Sequence, residues 1–462
     1  MNLVARRLIV MASAALTLGL SGSAWAFHSG GVAECEGCHT MHNSKDGNWM
    51  GPKYRMGTAI GSDQIEGVNT WLLQGSDASS TCLNCHQHEG DTGPSSYHVS
   101  TPDAEMPAGI PPKQRTPGGD FGWLKKDYTW VNRNSNFASE GERHGHNIVA
   151  ADYGYMADTE LTQAPGGQYP AANLSCISCH DPHPKYRYDV DFNLIERTLP
   201  IKAAGSYNGT TNAPTAWGAV GVYRILGGVG YVPKSLGPTG NSVAFNAKPP
   251  FAIAPSTYNQ SEATNQVRVA YGSGMSEWCG NCHYNIHANV GTPAPGALIH
   301  PAGTNALLST YGEADIYNAY VKSGNLTGSE ATAYSSLVPF EEGLTASVAN
   351  KATLNAHATN AAGLTGNSYL SVSPSANVMC LSCHRAHASG NDAMTRWNQE
   401  NEFLTVADAN GNVAWADASN SSQQGQAQGR TTAELAAAVN DRPVTTFAPY
   451  QRNLCNKCHA KD

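Results

Sequence analysis

Cys35-Glu36-Gly37-Cys38-His39 is the stretch on which the reading of this chain turns. The pattern recurs as Cys82-Leu83-Asn84-Cys85-His86, Cys176-Ile177-Ser178-Cys179-His180, Cys279-Gly280-Asn281-Cys282-His283, Cys380-Leu381-Ser382-Cys383-His384 and Cys455-Asn456-Lys457-Cys458-His459. The chain has 12 cysteines, and these six pentads use all of them. One Cys-x-x-Cys can be a redox dithiol or half of a zinc site. A His directly after every pair is instead the signature of covalent haem c attachment. The two thiols of each pentad then add to the vinyl groups of one macrocycle, and the next imidazole falls beneath its iron. The expectation is six haems c, with His39, His86, His180, His283, His384 and His459 as proximal iron ligands. No thiol is left for a disulfide.

Composition bounds the fold. Charged residues make up 14% of the chain, well under the roughly 25% of an ordinary soluble domain. Its 47 glycines and 25 prolines favour turns and irregular backbone over long helices. That is poor material for a conventional core. Six haems would change this, because each offers a large apolar plate whose burial stabilises by about 25 cal/mol per Å². The expected class is a multihaem cytochrome c: mostly coil, with short helices and a few short β-hairpins wrapped around a haem chain. An apoprotein that does not fold is the corollary.

The N-terminus has the form of an export signal. Arg6 and Arg7 are followed by the apolar run Leu8 to Leu20 and by Ala24-Trp25-Ala26, a small-x-small cleavage site. Residues 1–26 are expected to be removed, leaving 27–462 as one hexahaem unit with no linker long enough to divide it. The apolar run is short for a membrane span. Net charge is −8, and loss of Arg6 and Arg7 makes the mature chain more negative. No basic stripe suits nucleic acid, and Lys125-Lys126 is expected on the solvated surface. A secreted anionic protein fits cationic or mineral acceptors.

Seventeen histidines are present. Beyond the proximal six, His28, His42, His88, His98, His144, His146, His183, His287, His300, His357 and His387 remain, more than six irons need for a second imidazole each. Irons coordinated on both faces are built for electron transfer, whereas catalysis needs an open face. Three of these histidines stand three residues after a proximal one: His42, His183 and His387. Each is on the proximal side of its own haem, where the iron is already taken, so it is expected to reach a different haem and clamp the two together. His146 and His357 have loop enough to curl over a haem face. His300, His28 and His98 are further distal candidates, while His88, His144 and His287 are expected to make polar or propionate contacts.

Regular structure between the pentads is sparse. Gly227-Gly228, within 213–258, suggests a hairpin. A clearer one lies in Phe403 to Ala416 around Asn410-Gly411. Ala314 to Lys322 reads as a short helix with Ile316, Tyr320 and Val321 on one face. Thr431-x-x-Glu434 is a capping box opening another.

Specific strings outside the pentads carry a family resemblance. They are Phe27-His28-Ser29-Gly30-Gly31-Val32-Ala33-Glu34, Pro117-Gly118-Gly119-Asp120-Phe121-Gly122-Trp123, Ser139-Glu140-Gly141-Glu142-Arg143 with Gly145-His146-Asn147, Pro214-Thr215-Ala216-Trp217-Gly218-Ala219-Val220, and Phe447-Ala448-Pro449-Tyr450-Gln451-Arg452. With the pentads, they make the chain resemble the outer-surface hexahaem cytochrome S family of metal-reducing Geobacter, over essentially the whole mature length. The resemblance implies a coil-rich fold around closely packed bis-His haems, in alternating stacked and T-shaped contacts. It implies head-to-tail filaments in which His42 ligates the adjoining subunit's fifth haem, the one on Cys380, Cys383 and His384.

The expected function is extracellular electron transfer through a conductive homopolymer. Outer-membrane or periplasmic cytochromes would donate, and metal oxides or other cells would accept. The alternatives are a discrete periplasmic shuttle and, as an enzyme, an oxyanion reductase with one open haem.

Overall fold

The computed structural model describes residues 35–40, 44–45, 48–49, 72–94, 97–203, 214–233, 244–255, 259–264, 267–288, 300–329, 332–334, 337–359 and 371–460. The export signal, His28 and His42 lie outside these residues. Coil predominates, as the Gly and Pro content dictates. Among the described residues the longest helix is Val348–Thr359, of 12 residues. No helix among the described residues is long and apolar enough to cross a membrane.

Each pentad sits on or against a short helix: Cys35–Cys38, Ala78–His86, Cys176–Cys179, Met275–Cys279, Cys380–Cys383 and Asn456–His459. One turn of helix sets residues three apart on one face, which is how both sulfurs of a pentad come to point the same way. The turn is closed by the His backbone. His39, His180, His283, His384 and His459 each donate N–H to the carbonyl of their pentad's first cysteine, at 2.8 to 3.1 Å. Carboxylates start two of the helices. Asp77 accepts from Ser80 N at 2.7 Å, and buried Glu341 accepts from Ser276 N at 3.1 Å.

A loop recurs that the sequence does not announce. In the first, third and fifth pentads, the residue after the His (Thr40, Asp181, Arg385) donates its N–H to Leu72, Ile225 and Met394 at 2.7, 2.7 and 2.9 Å. Two residues beyond each acceptor, Gln74, Gly227 and Arg396 donate back to the second cysteine's carbonyl at 2.9, 2.8 and 2.8 Å. The loops turn through left-handed backbone at non-glycine residues: Leu72, Arg224, Ile225, Ala393 and Met394 have φ between 49° and 54°. Such conformers cost on the order of 1–3 kcal/mol each. They are held because the turn aims its carbonyls at the pentad and is tied to it by the paired main-chain bonds.

Sheet structure is local. Leu194–Glu196, Tyr186–Tyr188, Ala219–Gly221 and Ile201–Ala203 form a four-stranded sheet in that order. Tyr128–Asn132 pairs with Ser135–Ser139 across Arg133 and Asn134, both at positive φ. The expected hairpin at Asn410-Gly411 is present, with Val406–Ala407 paired to Val413–Ala414. Thr431 and Glu434 form the expected box at the start of Thr432–Ala438. The short helix runs Glu313–Ala319, but it buries Ala314 and Tyr317 rather than Ile316, because Tyr317 packs edge-on against Phe340.

Two expectations are corrected. Among the described residues no strand pair spans Gly227-Gly228: Ala219–Gly221 pairs with earlier strands, and Ala252–Ile253 pairs with Ala270–Tyr271. Gly227 is drawn to the third pentad and accepts from Trp278 Nε1 at 2.8 Å. Lys126 is not solvated. It is buried, with Nζ 3.3 Å from Glu434 Oε1 and donating to Pro107 O at 3.1 Å. Its neighbour Lys125 reaches Asp103 at 2.6 Å.

The hydrophobic clusters follow the pentads. Leu83, Phe121, Ile148 and Tyr155 pack with Cys176. Tyr223, Leu226, Phe245, Tyr271, Trp278 and Met379 pack with Cys179, Cys279 and Cys282. Leu308, Tyr317, Phe340, Trp397, Phe447 and Leu454 pack with Cys383 and Cys458. The core is thus strung along the cysteine pairs instead of gathered in one place.

Candidate haem-binding sites

The cysteines give the order of the sites. Cys38 neighbours Cys85, and Cys179 neighbours Cys282. Cys82 lies against Cys176, and Cys279 against Cys380. Cys383 neighbours Cys455 and Cys458. The six pentads therefore form a row in sequence order. Contacts alternate: second cysteine to second, then first to first.

Tautomers follow from the backbone. A carbonyl can only accept, so an imidazole nitrogen bonded to one carries the proton and leaves the other nitrogen's lone pair for a metal. His86 Nδ1 donates to Tyr97 O at 2.7 Å, His180 to Arg224 O at 2.8 Å, His283 to Pro165 O at 2.8 Å and His384 to Ala393 O at 2.8 Å. For His180 and His384 the acceptor is the left-handed residue of the repeated loop. Among the candidates for the opposite face, His146 donates to Ala386 O at 2.7 Å and His300 to Pro301 O at 2.8 Å.

Four proximal rings face one of those candidates. Ring centres are 6.1 Å apart for His39 and His183, 6.5 Å for His180 and His387, 6.1 Å for His283 and His146, and 6.0 Å for His459 and His300. Two imidazoles on opposite sides of one metal have centres roughly 6 Å apart, from two bonds of about 2 Å and about 1 Å from each nitrogen to its ring centre. The gaps fit an iron. Burial, then the neighbouring His283, pushes His146 down to about 4. Burial, then His180, pushes His387 down to about 3. Both rings are therefore neutral at neutral pH, with a lone pair to offer.

His387 is braced on two sides. Its backbone N–H donates to Gly118 O at 2.7 Å, and Phe121 stacks on its ring at 4.6 Å. Gly119, at φ +91°, passes so near that an added Cβ would stand 1.7 Å from Ala388 O.

The other candidates are placed differently. His98 is buried with Nδ1 2.5 Å from Asp91, and His357 has Nδ1 2.6 Å from Glu342. A carboxylate behind an imidazole is a common support for a metal ligand. His88 stacks on His98 at 5.7 Å. His144 is fully buried in a polar knot, with Nε2 2.8 Å from Ser139 Oγ and Nδ1 3.0 Å from Trp123 O. Among the described residues, no imidazole ring faces His384. Sequence reasoning missed Arg385 and Arg396, which flank the fifth pentad; no residue pattern marks them.

No family model matches the chain. It is similar to C-type cytochrome OmcS of Geobacter sulfurreducens, at 56% identity over 453 residues, covering 98% of each chain. Its fold is similar to two structures solved as filaments from that organism. One is a cryo-EM structure of the OmcS nanowires, with TM-score 0.80 and 55% identity over 94% of this chain and 100% of that one. The other is the Outer Membrane Cytochrome S Filament, with TM-score 0.79, 55% identity and the same coverage. On identity across nearly its whole length, this chain belongs to the OmcS family of c-type cytochromes.

Proposed function

We propose that this protein carries six covalent haems c and is exported with cleavage after Ala26. It then polymerises head to tail into a filament that passes electrons to acceptors outside the cell. Outer-membrane or periplasmic cytochromes are the donors, and metal oxides or other cells the acceptors. His183 serves the first haem, His387 the third, His146 the fourth and His300 the sixth. His98, His357 and His28 are the candidates for the second.

One observation carries the reading. His387, on the fifth pentad's loop, faces the third pentad's His180; His183, on the third's loop, faces the first's His39. Each reach covers two places down the row. The same reach from His42 runs two places below the first pentad, off the end of the chain. In a row continued head to tail by a second copy, that place is the fifth pentad's. There His384 is in none of the imidazole pairs found among the described residues. The cysteine alternation continues in the same sense, since its next contact is first to first, and Cys455 and Cys35 are both exposed.

The experiment is cryo-electron microscopy of the natively purified protein beside His42→Ala. Wild-type filaments with haems continuous across subunits, and dispersed His42→Ala subunits with normal haem content, are expected. Wild-type-like filaments from the variant would refute the bridge. Discrete wild-type particles would leave an electron shuttle in place of a wire.

A further inference from the structure

The repeated loop gives the third and fifth sites the same backbone but different charge. After the proximal His stand Asp181 in one and Arg385 in the other; at the return bond to the second cysteine stand Gly227 and Arg396. The first site has Thr40 and Gln74 at these positions. Two guanidinium groups thus flank the fifth site, with Ala393 at the turn, where Asp181 is offset by the single guanidinium of Arg224 at the third.

These two cations are poorly matched by the protein. Arg385 is 4% exposed, and its Nη1 reaches only Pro117 O, at 3.4 Å. Arg396 donates Nε to Leu381 O at 2.7 Å. Among the described residues, neither has a carboxylate within ion-pairing distance. The acidic group whose charge reaches both, Glu262, is engaged with Arg442 at 3.4 Å. Buried charges in proteins are paired, because leaving one uncompensated is strongly unfavourable. The planar fork of arginine matches a carboxylate, and each haem c brings two.

We infer that Arg385 and Arg396 form a cationic seat for a haem propionate beside the fifth pentad, and that they hold the fifth haem at a higher reduction potential than the third. Reduction adds an electron, and fixed positive charge in a low-dielectric setting favours it. Asp181 acts in the opposite direction at the third site. The inference rests on the pentads binding haem and not on polymerisation, so loss of the filament reading leaves it standing.

The test is a redox titration of full-length, haem-loaded protein followed by absorbance, after haem content per chain has been measured. Arg385→Met and Arg396→Met should each move one component to lower potential. The expected change is about tenfold in its oxidised-to-reduced ratio at the wild-type midpoint, or about 59 mV for a one-electron couple. Arg385→Lys, which keeps the charge, should stay near wild type. Glu262→Gln removes negative charge close to both arginines and should move the same component upward. The component altered in His387→Ala marks the third haem and should lie below the one the arginines control. Superimposable curves for wild type and the Met variants overturn the inference, as does the reverse order of the two components. Should a Met variant fail to load haem, the sign of the Glu262→Gln shift decides, and a downward or absent shift counts against the seat.

Discussion

The hydroxyl of Ser79 accepts the backbone N–H of Cys176 at 3.1 Å, and Ser276 does the same for Cys380 at 3.1 Å. Each serine stands three residues before a pentad and grips the next one, so neighbouring sites share a rigid joint. Both serines are fully buried. Their removal leaves an N–H without an acceptor, a cost of about 1–3 kcal/mol. Ser79→Ala and Ser276→Ala should each lower the midpoint of thermal unfolding by a few degrees with haem content unchanged. Unaltered melting would refute the joint.

His387→Ala should convert a single haem from low to high spin, because the ring facing His180 is lost. Electron paramagnetic resonance of the oxidised protein reads this directly. A spectrum identical to wild type would mean that the 6.5 Å pairing of these rings does not serve an iron.

Gly119→Ala should do similar damage from a distance. The added methyl meets the Ala388 carbonyl at 1.7 Å, at a positive φ that favours glycine. The segment carrying His387 must then shift. Expected outcomes are a high-spin fraction together with a loss of stability larger than that of the serine variants. Gly411→Ala, where nothing lies within 4 Å, is the control for backbone strain alone.

Acid sensitivity has a defined contributor in Glu105. Partial burial raises its pKa, but hydrogen bonds from Lys113 Nζ at 2.5 Å and Gly90 N outweigh this and hold it below the usual glutamate value. A carboxyl depressed in the folded state adds stability that is complete above its unfolded pKa and disappears as pH falls through the folded one. Glu105→Gln should therefore lower stability at neutral pH and flatten the acid limb below about pH 4.5. Parallel wild-type and variant curves down to the acid limit would contradict this.

What the residues disclosed and what they withheld divide along physical lines. The pentads are legible because the chemistry proposed for them needs fixed residue identities: Cys for a thioether and a following His for the iron. The capping box at Thr431 and the turn at Asn410-Gly411 are legible for the same reason, each needing particular side chains at set offsets. The loop shared by the first, third and fifth sites was hidden, because it is made by main-chain groups through Leu72, Arg224-Ile225 and Ala393-Met394. These residues have nothing in common beyond their dihedral angles. Lys126 read as surface because one residue's burial depends on distant Glu434 and Met106. The pairing of His146 with His283, and of His300 with His459, is likewise long-range, so local sequence could name the rings but not their partners.

That main-chain loop separates two properties usually tied together. Its carbonyls orient the proximal imidazole whatever side chains the loop carries, so the ring's position is insensitive to substitution there. The side chains left over set the local electric field. Arg385 and Asp181 can hence differ by two units of charge at one and the same backbone site. A row of geometrically equivalent stations can in this way be given an uneven voltage profile by ordinary point mutation, without disturbing the spacing on which transport between them depends.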